Sequence, residues 1–292
     1  MYDTIVVPVD GSDPAQAAAE TAVQLADTFD ADVSMLAVVE PSDNSPTESL
    51  PDAPGRDDLS SQWLQALDRA AATASKADIP CQTAIESGVA HTEIAAHADR
   101  VSADLVAMGT HGRTGIDRLL LGSVTERVLR TLDIPVLTIP GVEAAGADID
   151  DIVVPTDGSP GSERAAEHAC AFADASDATV HAIAVVDTQS LAAVSEGGAA
   201  IASLISTLEA QRERHVEAVC ERAEERGVAF ESTVVEGTPQ KAISHYADEC
   251  DADLIAMGTH GREGVKRFFL GSVTERTVRE SEIPVLAAPL AE

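Results

Sequence analysis

Lysine is nearly absent from this sequence. Of 292 residues only three are lysines, and lysine plus arginine number 19 against 50 aspartates and glutamates. The formal net charge is therefore −31 at pH 7. A surface with this charge repels nucleic acids and anionic membranes, because both carry dense negative charge. The composition thus argues against any function whose partner is a nucleic acid or an acidic lipid surface.

The acidic residues are spread along both halves of the chain rather than gathered in a tail. This distribution favours a solvated acidic surface over an acidic binding segment. Abundant carboxylates with very little lysine are typical of proteins from salt-loving organisms, whose internal salt screens the self-repulsion of such a surface. We therefore expect a halophilic source and a cytoplasm rich in salt.

Long apolar runs are also missing. No segment approaches the roughly 18 apolar residues that a membrane span needs. The first residues, MYDTIVVPVDGS, have no basic start, and their apolar run has only the length of a strand. We expect a soluble cytoplasmic protein.

Cysteine is scarce, and its spacing indicates no metal or redox site. The four cysteines lie far apart, form no CxxC pair and hold no consistent place in either half of the chain. We expect them to be buried thiols, and the sequence leaves the question of a metal ion open. They are Cys81, Cys170, Cys220 and Cys250.

One long motif occurs twice. Residues 109–123 read GTHGRTGIDRLLLGS, and residues 258–272 read GTHGREGVKRFFLGS. From each motif to the end of the following IPVL segment, 19 of 29 aligned positions are identical. The opening segment IVVPVDGS likewise returns as IVVPTDGS. The chain is therefore predicted to contain a duplicated domain, at 1–143 and 149–292, with the join within 141–148.

Each half alternates short apolar runs with amphipathic segments. Runs such as TIVVPV and DLVAMG have the length of strands, whereas DPAQAAAETAVQLADTF repeats its apolar residues at helical spacing. Near-continuous apolar strands that alternate with helices indicate a parallel sheet covered on both faces. The predicted fold class is α/β, as two tandem copies of a doubly wound five-stranded parallel-sheet domain. A long surface helix is predicted over Ile201–Arg226.

The repeated glycines lie where such a fold binds ligands. In an open parallel sheet, ligands settle at the carboxyl ends of the strands, beside the point where strand order reverses. The loops after strands one and four meet there, and both are repeated in this chain. Glycine lets backbone amides approach a phosphate, and Gly122-Ser123 and Gly271-Ser272 begin helices whose amino termini attract anions. An ordinary strand-to-helix turn is the alternative; two copies, each with more basic than acidic residues, favour phosphate binding.

Two common phosphate loops are absent, and a third pattern is present. The chain has no GxxxxGK[ST] segment and no GxGxxG directly after the first strand. The spacing G-x2-G-x9-G-S, which occurs once in each half, closely resembles the nucleotide-binding signature of the universal stress protein family. The resemblance extends over nearly all of both halves. It implies a tandem, ATP-binding protein whose domains have the adenine nucleotide alpha hydrolase-like fold.

The resemblance implies a role for each matching residue. Base and ribose should lie near Pro8, Asp10, Val38 and Met108 in the first half, and near Pro155, Asp157, Val185 and Met257 in the second. A triphosphate should meet the amides of Gly109, Gly112, Gly122, Ser123 and Val124 in one half, and of Gly258, Gly261, Gly271, Ser272 and Val273 in the other. The implied ligand is ATP or another adenine nucleotide, with or without Mg²⁺. No catalytic residue is implied.

Some residues keep two interpretations. Asp10 and Asp157 could cap the following helix, although Ser12 and Ser159 can do so and leave the aspartates for a ligand. The loop histidines, His111 and His260, could donate to phosphate or simply pack beside the sheet. Met108 and Met257 could be core or ligand residues.

Three hypotheses of function follow. The first is an ATP-binding stress or regulatory module with an unknown protein partner; the second is a slow ATPase; the third is an interaction scaffold without nucleotide. The resemblance also implies that the two halves pair within the chain through their final strands, IPVLTIP and IPVLAAP, and further pairing of chains is expected.

Overall fold

The computed structural model describes residues 1–40, 56–112, 121–141, 149–188, 198–260 and 270–290. These residues form two compact units, Met1–Ala147 and Asp148–Glu292. The domain bounds 1–143 and 149–292 stay a prediction, since the ends of a domain are set by more than compactness.

The first unit is a five-stranded sheet in which every described strand pair is parallel. Its strand order is β3-β2-β1-β4-β5, so the order reverses between β1 and β4. Strands β1 and β4 are buried along most of their length because helices cover both faces of the sheet. The strands are β1 (Thr4–Pro8), β2 (Asp32–Val39), β3 (Cys81–Ser87), β4 (Leu105–Gly109) and β5 (Val136–Ile139).

Between these strands, the described residues form four helices. The first, α1, begins after Ser12, whose hydroxyl accepts from the Ala15 N–H, and a proline in its first turn suits a helix start. It packs on β1 and β4 through a face rich in alanine. The helices are α1 (Asp13–Phe29), α2 (Arg56–Lys76), α3 (Ala90–Arg100) and α4 (Ser123–Thr131).

The second unit repeats this plan. Its strands have the order β10-β9-β6-β7-β8, again all parallel, with the reversal between β6 and β9. They are β6 (Asp151–Pro155), β7 (Thr179–Val186), β8 (Ala229–Glu236), β9 (Leu254–Gly258) and β10 (Val285–Ala288). The helices are α5 (Pro160–Ser176), α6 (Gly198–Arg226), α7 (Pro239–Glu249) and α8 (Ser272–Glu280).

These observations confirm the predicted fold class of two tandem doubly wound α/β domains. The long helix expected over Ile201–Arg226 is α6, which begins three residues earlier and packs on α5, β7 and β8. None of the described helices is long and apolar enough to cross a membrane.

The cysteines only partly fit the expectation of buried thiols. Cys170 and Cys220 are buried, and burial raises the pKa of both thiols. Cys81 and Cys250 are half-buried because they lie at the start of β3 and just after α7. All four are free.

Candidate functional site

The loop after β1 is built around Asp10. One carboxylate oxygen, Oδ1, accepts from the backbone N–H of Ser12 at 2.9 Å and from the Ser12 hydroxyl at 2.5 Å. Ser12 in turn caps α1. The aspartate therefore braces the serine cap rather than capping the helix itself. The second unit has the same arrangement. Asp157 Oδ1 accepts from the Ser159 N–H at 3.0 Å, and Ser159 caps α5.

Glycines allow the loop after β4 to approach this loop closely. A Cβ at Gly109 would lie 2.8 Å from the carbonyl carbon of Pro14, in the first turn of α1. A Cβ at Gly112 would lie 2.8 Å from the second carboxylate oxygen, Oδ2, of Asp10. The loops after β1 and β4 thus meet at the point where strand order reverses, as the sequence predicts for this fold.

Helix α4 begins beside these loops with a glycine as its N-cap. The Gly122 N–H donates to the Thr110 carbonyl at 2.8 Å, and the Thr125 hydroxyl donates to the Gly109 carbonyl at 3.0 Å. These bonds hold the first turn of α4 against the end of β4. Because glycine has no side chain, it offers the first-turn amides no capping oxygen, unlike the serines at α1 and α5. The amino terminus of α4 is therefore suited to an external anion.

The second unit has the same arrangement. A Cβ at Gly258 would lie 2.5 Å from the Gly161 carbonyl carbon, and a Cβ at Gly161 would lie 2.4 Å from the His260 carbonyl oxygen, so this close approach needs glycine at both positions. The Gly271 N–H donates to the Thr259 carbonyl at 2.7 Å, and the Thr274 hydroxyl donates to the Gly258 carbonyl at 2.7 Å. Helix α8 thus also begins with a glycine N-cap and no side-chain cap.

A cavity of about 610 Å³ lies in the second unit at the carboxyl ends of β6, β7 and β9. Its wall contains eight of the residues that the sequence singled out in this half. Gly261, the ninth, lies outside the described residues. The eight are Pro155, Asp157, Val185, Met257, Gly258, Gly271, Ser272 and Val273.

The matching residues of the first unit lie at the same edge of their own sheet. Pro8 ends β1, Val38 is near the end of β2, and Met108 and Gly109 end β4. Gly122 is the N-cap of α4, followed by Ser123 and Val124 in its first turn. Met108 is buried, as is Met257 in the second unit, so each methionine packs in the core as well as ending its strand.

The two loop histidines have the same local contact. Nδ1 of His111 lies 2.7 Å from Thr110 Oγ1, and Nδ1 of His260 lies 2.9 Å from Thr259 Oγ1. Burial lowers the pKa of His260, which favours its neutral form. A neutral imidazole can donate one hydrogen bond but supplies no positive charge to a phosphate.

Several residues that line the cavity were not among the sequence predictions. Arg212 comes from α6, Asp187 follows β7, and Ile243 belongs to α7. Asp187 and Ile243 are matched in the first half by the similar residues Glu40 and Ile94, whereas Arg212 is matched by Trp63. The packing of α6 and α7 around the strand ends brings Arg212 and Ile243 to the cavity, whereas Asp187 lies there because it directly follows β7. The one sequence signal that could have indicated any of these residues was the positive charge of Arg212 in a strongly acidic chain.

Strand-end loops that meet where strand order reverses, beside a glycine-capped helix, are features of the doubly wound α/β class, whose members generally bind ligands at that point. Here that domain occurs twice. The chain belongs to the universal stress protein family, whose model matches residues 1–140 and 149–289.

Individual relatives agree with this assignment. A universal stress protein of Methanocaldococcus jannaschii is 40% identical over 144 residues, which cover 48% of this chain and 82% of the relative. A universal stress protein of Mycolicibacterium smegmatis is 28% identical over 303 residues and spans 97% of this chain and 95% of its own. A crystal structure of a universal stress protein from Archaeoglobus fulgidus superimposes with a TM-score of 0.73 at 24% identity, covering 99% of this chain and 98% of that one, which supports the fold.

Proposed function

We propose that each domain of this universal stress protein binds an adenine nucleotide, ATP above all, and that the chain acts as a nucleotide-dependent regulatory module in the stress response. The cavity at the ends of β6 and β9 is the observation that carries the proposal. Its volume of about 610 Å³ is within the range of small-molecule and cofactor sites.

The chemistry of the cavity wall suits the parts of a nucleotide. Val185, which is half-buried, and Met257, which is 5% exposed, offer an apolar surface for the flat face of a purine. Asp157 offers carboxylate oxygens to ribose hydroxyls or to an amino group. The glycine-capped start of α8, at Ser272 and Val273, offers backbone N–H groups to phosphate oxygens.

A magnesium ion would enter this site together with the phosphates. Mg²⁺ in nucleotide sites is held mainly by phosphate oxygens, water and one or two carboxylates. The described part of the chain contains no group of three or more His, Cys, Asp or Glu side chains that could hold a metal alone. We therefore expect Mg²⁺ to bind only together with the nucleotide.

Binding is favoured over rapid hydrolysis. Phosphoryl transfer generally uses a lysine or arginine at the β and γ phosphates together with a group that positions the nucleophile. The cavity wall, as far as it is described, contains one arginine, Arg212, but no lysine, and none of its described residues has an evident role in positioning a nucleophile. A slow ATPase and a nucleotide-free scaffold remain the competing hypotheses.

The nucleotide content of the purified protein tests the proposal. Protein purified in high salt without added nucleotide is denatured, and the released nucleotides are quantified by ion-pair chromatography. About two ATP per chain is the expected result, because each domain has one site. Mostly ADP would favour the ATPase. An empty protein that also takes up no added ATP would leave the scaffold hypothesis.

We further propose that the two domains pair within the chain through their final strands, and that chains associate further. Support comes from the sequence, in which both halves end in the same apolar strand pattern, IPVLTIP and IPVLAAP. Small-angle scattering checks this pairing. An envelope of two freely hinged bodies would contradict it.

A salt-rich cytoplasm is the proposed location. The net charge of −31 supports it, since salt must screen the self-repulsion of such a chain. Cell fractionation, together with circular dichroism during removal of salt, tests both parts of this proposal. A folded state that is indifferent to salt would contradict the halophilic part.

A further inference from the structure

Helix α6 crosses the loop after β6 and brings a cation to the cavity. The imidazole of His215 packs on Gly158, whose φ is +75°. One turn earlier, Arg212 lines the cavity, and its Nη1 donates to the Asp157 carbonyl at 3.5 Å. Arg212 is the only arginine or lysine among the described residues of the cavity wall.

The first unit has a different residue at this place. Ala66 of α2 packs against Gly11 there, with 3.5 Å between its Cβ and a Cβ built on the glycine. Ala66 thus takes the place of His215, and the residue one turn earlier is Trp63. That tryptophan is buried, with 8% of its surface exposed. Helix α2 therefore supplies an apolar side chain where α6 supplies a guanidinium.

The difference matters because, among the residues that the structure describes, the other charged side chains of the second cavity wall are carboxylates. Asp157 and Asp187 both belong to its wall. The first unit matches them with Asp10 and Glu40, so both sites carry two carboxylates. Carboxylates repel a phosphate group, and the repulsion grows with the number of phosphate charges. In the second unit Arg212 of α6 can offset this repulsion, whereas the matching position of α2 in the first unit is Trp63.

We propose that Arg212 is the charge-selecting residue of the second domain, which makes that site prefer nucleoside polyphosphates over uncharged nucleosides, whereas the first site discriminates less. This inference rests on the proposed nucleotide binding and adds that the two sites are not equivalent. The attraction of a guanidinium scales with ligand charge, so it is absent for adenosine and largest for ATP. It also weakens as salt is added.

The test uses the full chain with one site blocked. In a Gly122→Val background only the second site should bind, and dissociation constants for ATP and adenosine are measured by calorimetry at the lowest salt that keeps the protein folded. Arg212→Gln should weaken ATP binding about tenfold or more, in line with loss of one close charge interaction, and change adenosine binding less than about twofold. Arg212→Lys should recover part of the ATP affinity, and added salt should shrink the difference.

The matched control carries Arg212→Gln in a Gly271→Val background, where only the first site binds; its ATP affinity should not change. Unchanged ATP affinity in the Gly122→Val background would overturn the inference while leaving the proposed function intact. Equal losses for ATP and adenosine would overturn it too, because Arg212 would then act by holding the Asp157 loop. Failure of the Gly122→Val parent and the wild type to bind any nucleotide would overturn the proposed function itself.

Discussion

Valine at both Gly122 and Gly271 is expected to reduce bound ATP from about two per chain to none, and each single variant should retain one. The physical reason is local crowding. A Cβ would lie 3.0 Å from the Thr110 carbonyl oxygen at Gly122, and 3.2 Å from the Thr259 carbonyl oxygen at Gly271. The added side chain must either displace the start of the helix or block access to its first-turn amides. Either change removes the proposed phosphate contacts. Equilibrium dialysis with ATP measures the stoichiometry.

A glycine replacement elsewhere is the control for the fold. Gly227, in the turn between α6 and β8, has φ +73° and nothing within 4 Å of a Cβ. Asparagine tolerates this left-handed conformation better than other non-glycine residues, so Gly227→Asn should keep both nucleotides. Circular dichroism must show that all variants fold. A folded double variant that still binds two ATP would show that the glycine-capped helices are not the phosphate sites.

Acidification is expected to destabilise the protein through one buried histidine. His168 of α5 is 3% exposed, and burial, with the positive charge of Arg164 adding to it, lowers its pKa to about 4. The unfolded chain holds its histidine protons with a pKa near 6.5. Between about pH 6.5 and pH 4, His168 is therefore protonated in the unfolded state but not in the folded state. The free energy of unfolding should fall by about 3 kcal/mol across this window, and the stability is retained above it.

The matched variant is His168→Thr, because the first domain has Thr21 at the corresponding position. Urea denaturation is followed by circular dichroism at several pH values in constant salt, and the wild-type and variant pH dependences are subtracted. Charge repulsion changes with pH in both proteins, so the difference isolates His168. His245→Thr, at an exposed position on α7, controls for the loss of one histidine. A variant with the same pH dependence as the wild type would contradict the prediction.

Much of the fold follows from local sequence. The ten strands and α1 are visible as apolar runs and helical spacing, and the duplication is visible as repeated letters. Such features depend on residues close together in the chain, where side-chain periodicity must match the geometry of a strand or a helix. The loops after β1 and β4 could be paired in advance because a doubly wound sheet always brings those strand ends together.

Other features needed the folded chain. The sequence left open whether Asp10 and Asp157 cap a helix. In the structure Ser12 and Ser159 are the capping residues, and each aspartate accepts a hydrogen bond from its serine. The sequence also left two interpretations of Gly109 and Gly258, phosphate-binding residues or an ordinary strand-to-helix turn. In the structure both are required for the close approach of a helix start, whatever ligand the site holds.

By itself, the sequence determined that this chain is a tandem pair of α/β domains in an acidic protein, and where the strand-end loops of each domain lie. Only the tertiary structure decided which side chains complete the second cavity. Arg212 and Asp157 are separated by more than fifty residues, and no repeat relates them. The arginine reaches the aspartate because α6 packs across β7 and β8 with one particular face turned to the loop after β6. That choice of face is made by core packing along the whole helix, which no short motif encodes.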